Sequence, residues 1–312
     1  MTAFPFSRRR LLAGGTAVLG STLLPLAAHE AAAAAGDAEA WQPVMLPQAR
    51  QRDMASAITG QRYRIFVSVP ETPAPAAGHP VLYALDGNAS FPVLALMART
   101  AARRAGVTGL AAPVIVGIGY ATAQDHDSKS RTRDYTPPAA GAPAAEGGAD
   151  RFLDFIEQEL KPLVRTLAPV DPRRQALYGH SFGGLCTLYT LFTRPAMFQT
   201  YVAASPSIWY GDRVVLDGLE GFAQRVAALP GKPSLLMTVG ELEQKRPADA
   251  RAGSHDAALL QRRMVDSARD LAARLQAGGP LLERVRFHEL AHEDHGSAAY
   301  PAMARGIEFF MN

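Results

Sequence analysis

The sequence predicts an α/β protein built on a mostly parallel central sheet with helices on both faces. Three observations carry this. Strand-like and helix-like segments alternate along the chain, as they do when each parallel strand is joined to the next by a helical crossover. Several strands, such as Val81-Leu-Tyr-Ala-Leu85, read as unbroken apolar runs, the pattern of strands covered on both sides. Finally, Gly179-His-Ser181-Phe-Gly183 lies between an apolar run, Gln175–Tyr178, and a helical stretch, Leu185–Phe192. That is strand, sharp turn and helix in sequence.

In order, Arg62–Val69 alternates and is rich in β-branched and aromatic residues, which predicts a strand. A Pro/Ala linker, Glu71–Pro80, leads to the buried strand Val81–Leu85. Asp86-Gly87-Asn88 is a turn signal, and a helix follows through Leu94–Arg103. Pro113–Ile118 is another buried strand. Residues 121–150, polar and then Pro/Ala/Gly-rich, predict a long surface loop, a kind of segment that is often functional. Phe152, Phe155, Ile156, Leu160, Leu163, Val164 and Leu167 recur on one helical face despite Pro162. Thr200–Ala204 and Ser234–Val239 are strands. Leu260, Met264, Ala268, Leu271 and Leu275 mark a helix that stops at Gly278-Gly279. Val285–Leu290 is the last strand and Ala299–Phe310 a closing helix. No internal repeat interrupts the pattern.

The chain has 312 residues, 48% of them hydrophobic and 20% charged, enough to bury a large core in one domain. Its start is different in kind. Arg8-Arg9-Arg10-Leu-Leu precedes an apolar run to about Ala28, followed by Ala31–Ala35. Basic residues, a moderate apolar segment and small residues predict a cleaved leader over residues 1–35, with a single domain over 36–312. The paired arginines resemble the twin-arginine export signal, which is a receptor-read address and not an anchor. A periplasmic protein without a stable membrane anchor is expected. Without residues 1–35 the charged residues number 29 Lys and Arg against 28 Asp and Glu, a net +1, so no nucleic-acid partner is implied. A single cysteine, Cys186, excludes an intramolecular disulfide.

A serine hydroxyl attacks a carbonyl only when a base takes its proton. In the α/β-hydrolase arrangement, to which the Gly-x-Ser-x-Gly turn points, the order is Ser, acid, His, each on a loop after a strand. Ser181 is the expected nucleophile. His295, after the last strand and before Gly296-Ser297, is the expected base, with His292 as the alternative. Glu243, after Ser234–Val239, is the expected acid, with Glu241 and Asp249 as rivals. The oxyanion requires backbone N–H groups, expected from Phe182 and Asn88. The His292/His295 pair lacks a third ligand at metal-like spacing, so no metal site is expected, and an acyl-enzyme on serine needs no metal or organic cofactor.

Tyr83–Asn88, Arg131-Thr-Arg-Asp-Tyr-Thr-Pro137, Gly179–Gly184, Ala204-Ser-Pro-Ser-Ile-Trp209, Gly240–Glu243 and Glu293–Ser297 together resemble the esterase D-type α/β hydrolases. Within that group they look most like periplasmic siderophore trilactone hydrolases, which cleave the ester backbone of enterobactin-like catecholates. The resemblance covers roughly residue 42 to the end. It implies a small-molecule ester substrate, a ferric catecholate siderophore among the options. Arg131 and Arg133 would then meet its negative charge, and Trp209 and Tyr210 would stack on its rings. Related branches take formylglutathione, feruloyl or mycolyl esters, so a general carboxylesterase or thioesterase remains open at this level, as does a binding protein that hydrolyses nothing.

Overall fold

A computed structural model describes residues 41, 43–244, 260–279 and 281–312. The expected leader, residues 1–35, and Asp249 lie outside the described residues. Residues 46–312 form one unit around an eight-stranded sheet. Its strands are β1 (Ala49–Ala55), β2 (Arg62–Ser68), β3 (His79–Leu85), β4 (Val114–Tyr120), β5 (Val170–His180), β6 (Thr200–Ala204), β7 (Ser234–Gly240) and β8 (Val285–Leu290). They lie in the order β1-β2-β4-β3-β5-β6-β7-β8. β1 and β2 run antiparallel at one edge, and the six strands from β4 to β8 are parallel. The fold class is as the apolar runs predict.

The runs are continuous because both faces of the sheet are covered. Along β3, Val81, Tyr83 and Leu85 point into one core, while Leu82 and Ala84 point into the other. The second core is closed by α1 (Gly87–Thr108) and the C-terminal helix Ala299–Met311. The first is larger. It takes in α3 (Ala149–Phe155), α5 (Phe182–Thr193) and α8 (Met264–Ala277), the last two following the short helices α4 (Lys161–Arg165), α6 (Tyr210–Arg213) and α7 (Phe222–Ala227). Each fully buried Leu or Phe in these layers stabilises the fold by about 1.5–3 kcal/mol.

The order of strands also says where a ligand would sit. From β3 the chain crosses to β4 on one side, whereas β5 pairs with β3 on the other. The crevice at a parallel sheet's C-terminal edge opens where connections diverge in this way. It lies here between the ends of β3 and β5, beside Asp86 and Ser181.

Four departures from the sequence reading have physical causes. Residues 121–150 are not simply a loop, because α2 (Ser128–Tyr135) stands within them. Its start is capped by Asp127, whose carboxylate accepts from Ser130 N–H at 3.0 Å and Ser130 Oγ at 2.9 Å. The helix is almost wholly polar, so hydrophobic periodicity could not reveal it. The predicted helix after Asp150 is divided by a π-turn over Ile156–Leu160. Pro162 has no N–H and its ring crowds the preceding turn, and the wider turn before it relieves the clash. The Asp86-Gly87-Asn88 turn is the first turn of α1. The missing strand, β1, is a polar sheet edge that needs no apolar face; Arg64 of β2 holds its Asp53 through two hydrogen bonds, at 2.8 and 3.1 Å.

Candidate active site

The end of β5 turns directly into α5 at Ser181, whose backbone has φ 62° and ψ −117°. This is a strained conformation for a residue with a side chain. It is held by Ser181 N–H donating to Ala204 O at 3.0 Å and by Ser207 N–H donating to Ser181 O at 3.2 Å. The chain folds back so tightly that a Cβ at position 179 would lie 2.2 Å from Gly183 O. Only glycine fits there.

Three loops converge on the serine hydroxyl. Ser181 Oγ lies 3.0 Å from His295 Nε2, and His295 Nδ1 lies 2.6 Å from Glu243 Oε2. His295 comes from the loop after β8 and Glu243 from the short 3₁₀ turn after β7. Those loops are stitched together by Leu242 N–H, which donates to Glu293 O at 2.9 Å. Gly240 lets them approach, since a Cβ there would meet Glu293 O at 2.5 Å. Asp294 shapes the turn that carries His295, accepting the N–H groups of Gly296 and Ser297, each at 2.9 Å.

Glu243 is buried, its carboxyl fully so, while His295 keeps 43% side-chain exposure. Burial alone would raise the carboxyl's pKa. Hydrogen bonding and charge from His295 outweigh it, helped by bonds from Ser205 Oγ (2.5 Å) and Gly240 N–H (2.6 Å), and the pKa is held below its ordinary value. Glu243 is therefore an ionised acceptor suited to orienting the imidazole and stabilising imidazolium. The rivals stand elsewhere. Glu241 accepts the N–H of His292 at 2.9 Å, and the His292 side chain is 93% exposed.

Phe182 and Asn88 each occupy the first turn of a helix, where backbone N–H groups have no intrahelical acceptor. The β3/β5 register, with Ala84 opposite Tyr178, brings the two helix starts side by side. The Asn88 carboxamide fixes its own turn to β4. Its Nδ2 donates to Tyr120 O and Thr122 O, and its Oδ1 accepts Tyr120 N–H at 2.9 Å.

Arg131 reaches the site from α2 but is already engaged. It donates twice to Asp86 at 2.9 Å, and a guanidinium N–H also donates to His180 O at 3.3 Å. Asp86 N–H donates to Tyr135 Oη at 3.0 Å. Asp86 has φ 51°, so the polar helix braces a strained turn against the end of β5. Arg133 pairs with Asp134 at 2.7 Å and lines neither of the cavities at Ser181. Tyr210 is likewise not in the pocket. Its ring is buried edge-on against Phe182, and its hydroxyl donates to Glu146 at 2.7 Å, so it supports the wall and has no face to offer. Trp209 does line a cavity, although Arg262 covers one face of its ring.

Two cavities meet at Ser181 and His295. One, of about 320 Å³, is bounded by Asp86, His126, His180, Tyr300 and Met303. The other, of about 250 Å³, is bounded by Arg131, Phe182, Ser207, Trp209, Arg262 and Met264. Sequence reasoning passed over Ser205, Asp86, His126, Tyr300 and Arg262. Ser205 and Asp86 stood within quoted motifs, but nothing local marks the others. His180 packs 4.8 Å from the His295 ring, and its Nε2 is buried without a partner. Burial, then the charge of His295, pushes its pKa down to about 3, so it is neutral at ordinary pH. Burial pushes the Cys186 thiol up to about 12, which leaves it inert inside the core.

Three outcomes follow from this geometry. Gly179→Ala should lower the free energy of unfolding by more than about 3 kcal/mol in urea denaturation, because the contact is with backbone. Arg131→Met should cost about 3–5 kcal/mol by leaving the Asp86 carboxylate buried without its partner, and Asp86→Asn in the same chain should restore part of it. The unfolded chain protonates His180 near pH 6.5, while the folded chain resists until about pH 3. Stability should therefore fall on acidification across that window, by up to about 1.4 kcal/mol per pH unit. His180→Gln should make the slope shallower.

Comparison with known proteins gives a consistent picture. The Esterase family model matches residues 56–280. The ferri-bacillibactin esterase of Bacillus subtilis is 36% identical, the match covering 86% of this chain and 91% of that protein. The siderophore triacetylfusarinine C esterase of Aspergillus fumigatus is 39% identical over 86% of this chain and 94% of its own. The crystal structure of the BES protein from Bacillus cereus superposes with a TM-score of 0.77 at 33% identity, covering 88% of this chain and 98% of that one. With its mostly parallel sheet, its serine turn and these relatives, the chain belongs to the Esterase family of α/β hydrolases and is an enzyme that acts on ester bonds.

Proposed function

We propose that the protein is an exported serine esterase that opens the ester backbone of a siderophore, by way of an acyl-enzyme on Ser181. The observation that carries the chemistry is the unbroken chain of contacts from Ser181 Oγ through His295 to the buried Glu243 carboxylate. His295 Nε2 takes the hydroxyl proton as Ser181 Oγ attacks the ester carbonyl. Glu243 accepts the Nδ1 proton's hydrogen bond and stabilises the imidazolium. The Phe182 and Asn88 N–H groups receive the charge on the carbonyl oxygen. The alcohol leaves with the proton from His295. A water molecule, deprotonated by His295, then frees the acid and restores the serine.

The substrate reading is supported by the relatives, whose names specify ferri-bacillibactin and triacetylfusarinine C. It is supported as well by the sequence resemblance to catecholate trilactone hydrolases. A ferric siderophore would bring its iron as cargo. Export to the periplasm rests on Arg8-Arg9-Arg10 and the apolar run after them.

Ser181→Ala and His295→Ala should lower kcat by about 10⁶-fold, and Glu243→Gln by about 10⁴-fold, in steady-state kinetics. A fluorophosphonate should label the folded protein at Ser181; an unlabelled serine would sink the esterase reading. Ferric and iron-free enterobactin, incubated with the enzyme, should give linear products by mass spectrometry. Intact trilactone beside rapid hydrolysis of p-nitrophenyl esters would defeat the siderophore reading and keep the esterase.

A further inference from the structure

The cavity of about 250 Å³ beside Ser181 holds three charged groups besides the base, and two are already committed. Arg131 is bound twice to Asp86. Glu243 is held by Ser205, Gly240 and His295. Arg262 differs. Its guanidinium lies 4.6 Å from the centroid of the Trp209 ring, and among the described residues it makes no ion pair. Stacking fixes the plane of the guanidinium yet uses none of its five N–H donors, and those donors favour a carboxylate or phenolate oxygen.

Beside this guanidinium, Phe182, Trp209 and Met264 form an apolar wall, the first two rings tilted at 41° to each other. Phe182 and Trp209 stand 6.0 Å apart between ring centroids, and Met264 is buried beside them. At about 250 Å³ the space falls below the roughly 300–1,000 Å³ that encloses a drug-sized ligand. It suits one ring with its substituents and excludes a whole multi-armed ligand.

We propose that Arg262, set by its stack on Trp209, forms a subsite for a single aryl arm of the ester substrate that carries an anionic oxygen. The inference rests on the esterase reading. The ring of the arm lies among Phe182, Trp209 and Met264, while its anionic oxygen takes the unused guanidinium donors. The subsite thus selects the arm that flanks the reacting carbonyl, and the cavity of about 320 Å³ on the other side of Ser181 receives the rest.

The sequence has two tryptophans, Trp41 and Trp209, so Trp41→Phe leaves Trp209 as the only one. In a Trp41→Phe, Ser181→Ala protein, benzoate should quench the Trp209 fluorescence at about one tenth of the concentration that neutral benzamide requires. Arg262→Met should erase that preference, and Arg262→Lys, which keeps the charge but not the planar stack, should keep only part of it. In the active enzyme, p-nitrophenyl esters with a carboxylate on the acyl ring should be preferred in kcat/KM over their carboxamide counterparts. Arg262→Met should cut this ratio about tenfold, mainly through KM. Equal quenching by benzoate and benzamide, or an unchanged ratio in Arg262→Met, overturns the proposal. Binding through Arg262 with neither ester hydrolysed keeps the subsite and removes the esterase reading.

Discussion

One buried charge organises the edge of the sheet around Ser181. Glu243 sits with its carboxyl wholly inside the protein, where an unpaired carboxylate would be expelled or protonated. It stays ionised because donors from three places meet it: Gly240 at the end of β7, Ser205 at the end of β6 and His295 after β8. No two of those loops can shift independently without stripping a hydrogen bond from a charge. The requirement to solvate one carboxylate from within thus fixes the position of the imidazole, and through it the partner of Ser181.

A second buried charge pair does the corresponding work on the other side of the serine. Asp86 and Arg131 connect the start of α1 to the polar helix α2, and Arg131 continues to the carbonyl of His180. Tyr135 adds a bond to the amide of Asp86. These groups hold two helix starts next to each other, each presenting amides that the helix itself cannot satisfy. Arg131 therefore acts as a brace within the protein, and Arg262, which among the described residues makes no ion pair, is the cation with donors to spare for a ligand. Charge on a loop does not by itself identify a substrate contact; what matters is whether the charge already has a partner.

The parts that were legible in the sequence have local causes. Buried strands covered on both faces leave unbroken apolar runs, and the serine turn needs glycine at 179, where the backbone closes to 2.2 Å of any Cβ. Glu243 and His295 could be placed because each follows a strand in a fixed order. The parts that were not legible draw their stability from distant groups. α2 is polar and is held by Asp86 and Tyr120, not by an apolar stripe. β1 is stabilised by pairing with β2. Arg133 and Tyr210 are of the residue types a charged, aromatic ligand would call for, yet each has satisfied its polar groups inside the protein, with Asp134 and Glu146.

The layered α/β arrangement, the sharp serine turn and the chain order of Ser181, Glu243 and His295 were legible from periodicity, backbone sterics and strand order. Only packing separated Glu243 from Glu241 at the imidazole, and only packing showed which arginine is a brace and which faces a cavity. Those outcomes depend on what each charge finds at hydrogen-bond distance once the sheet has closed. A sequence records which residues carry charge but not which of those charges will already be neutralised.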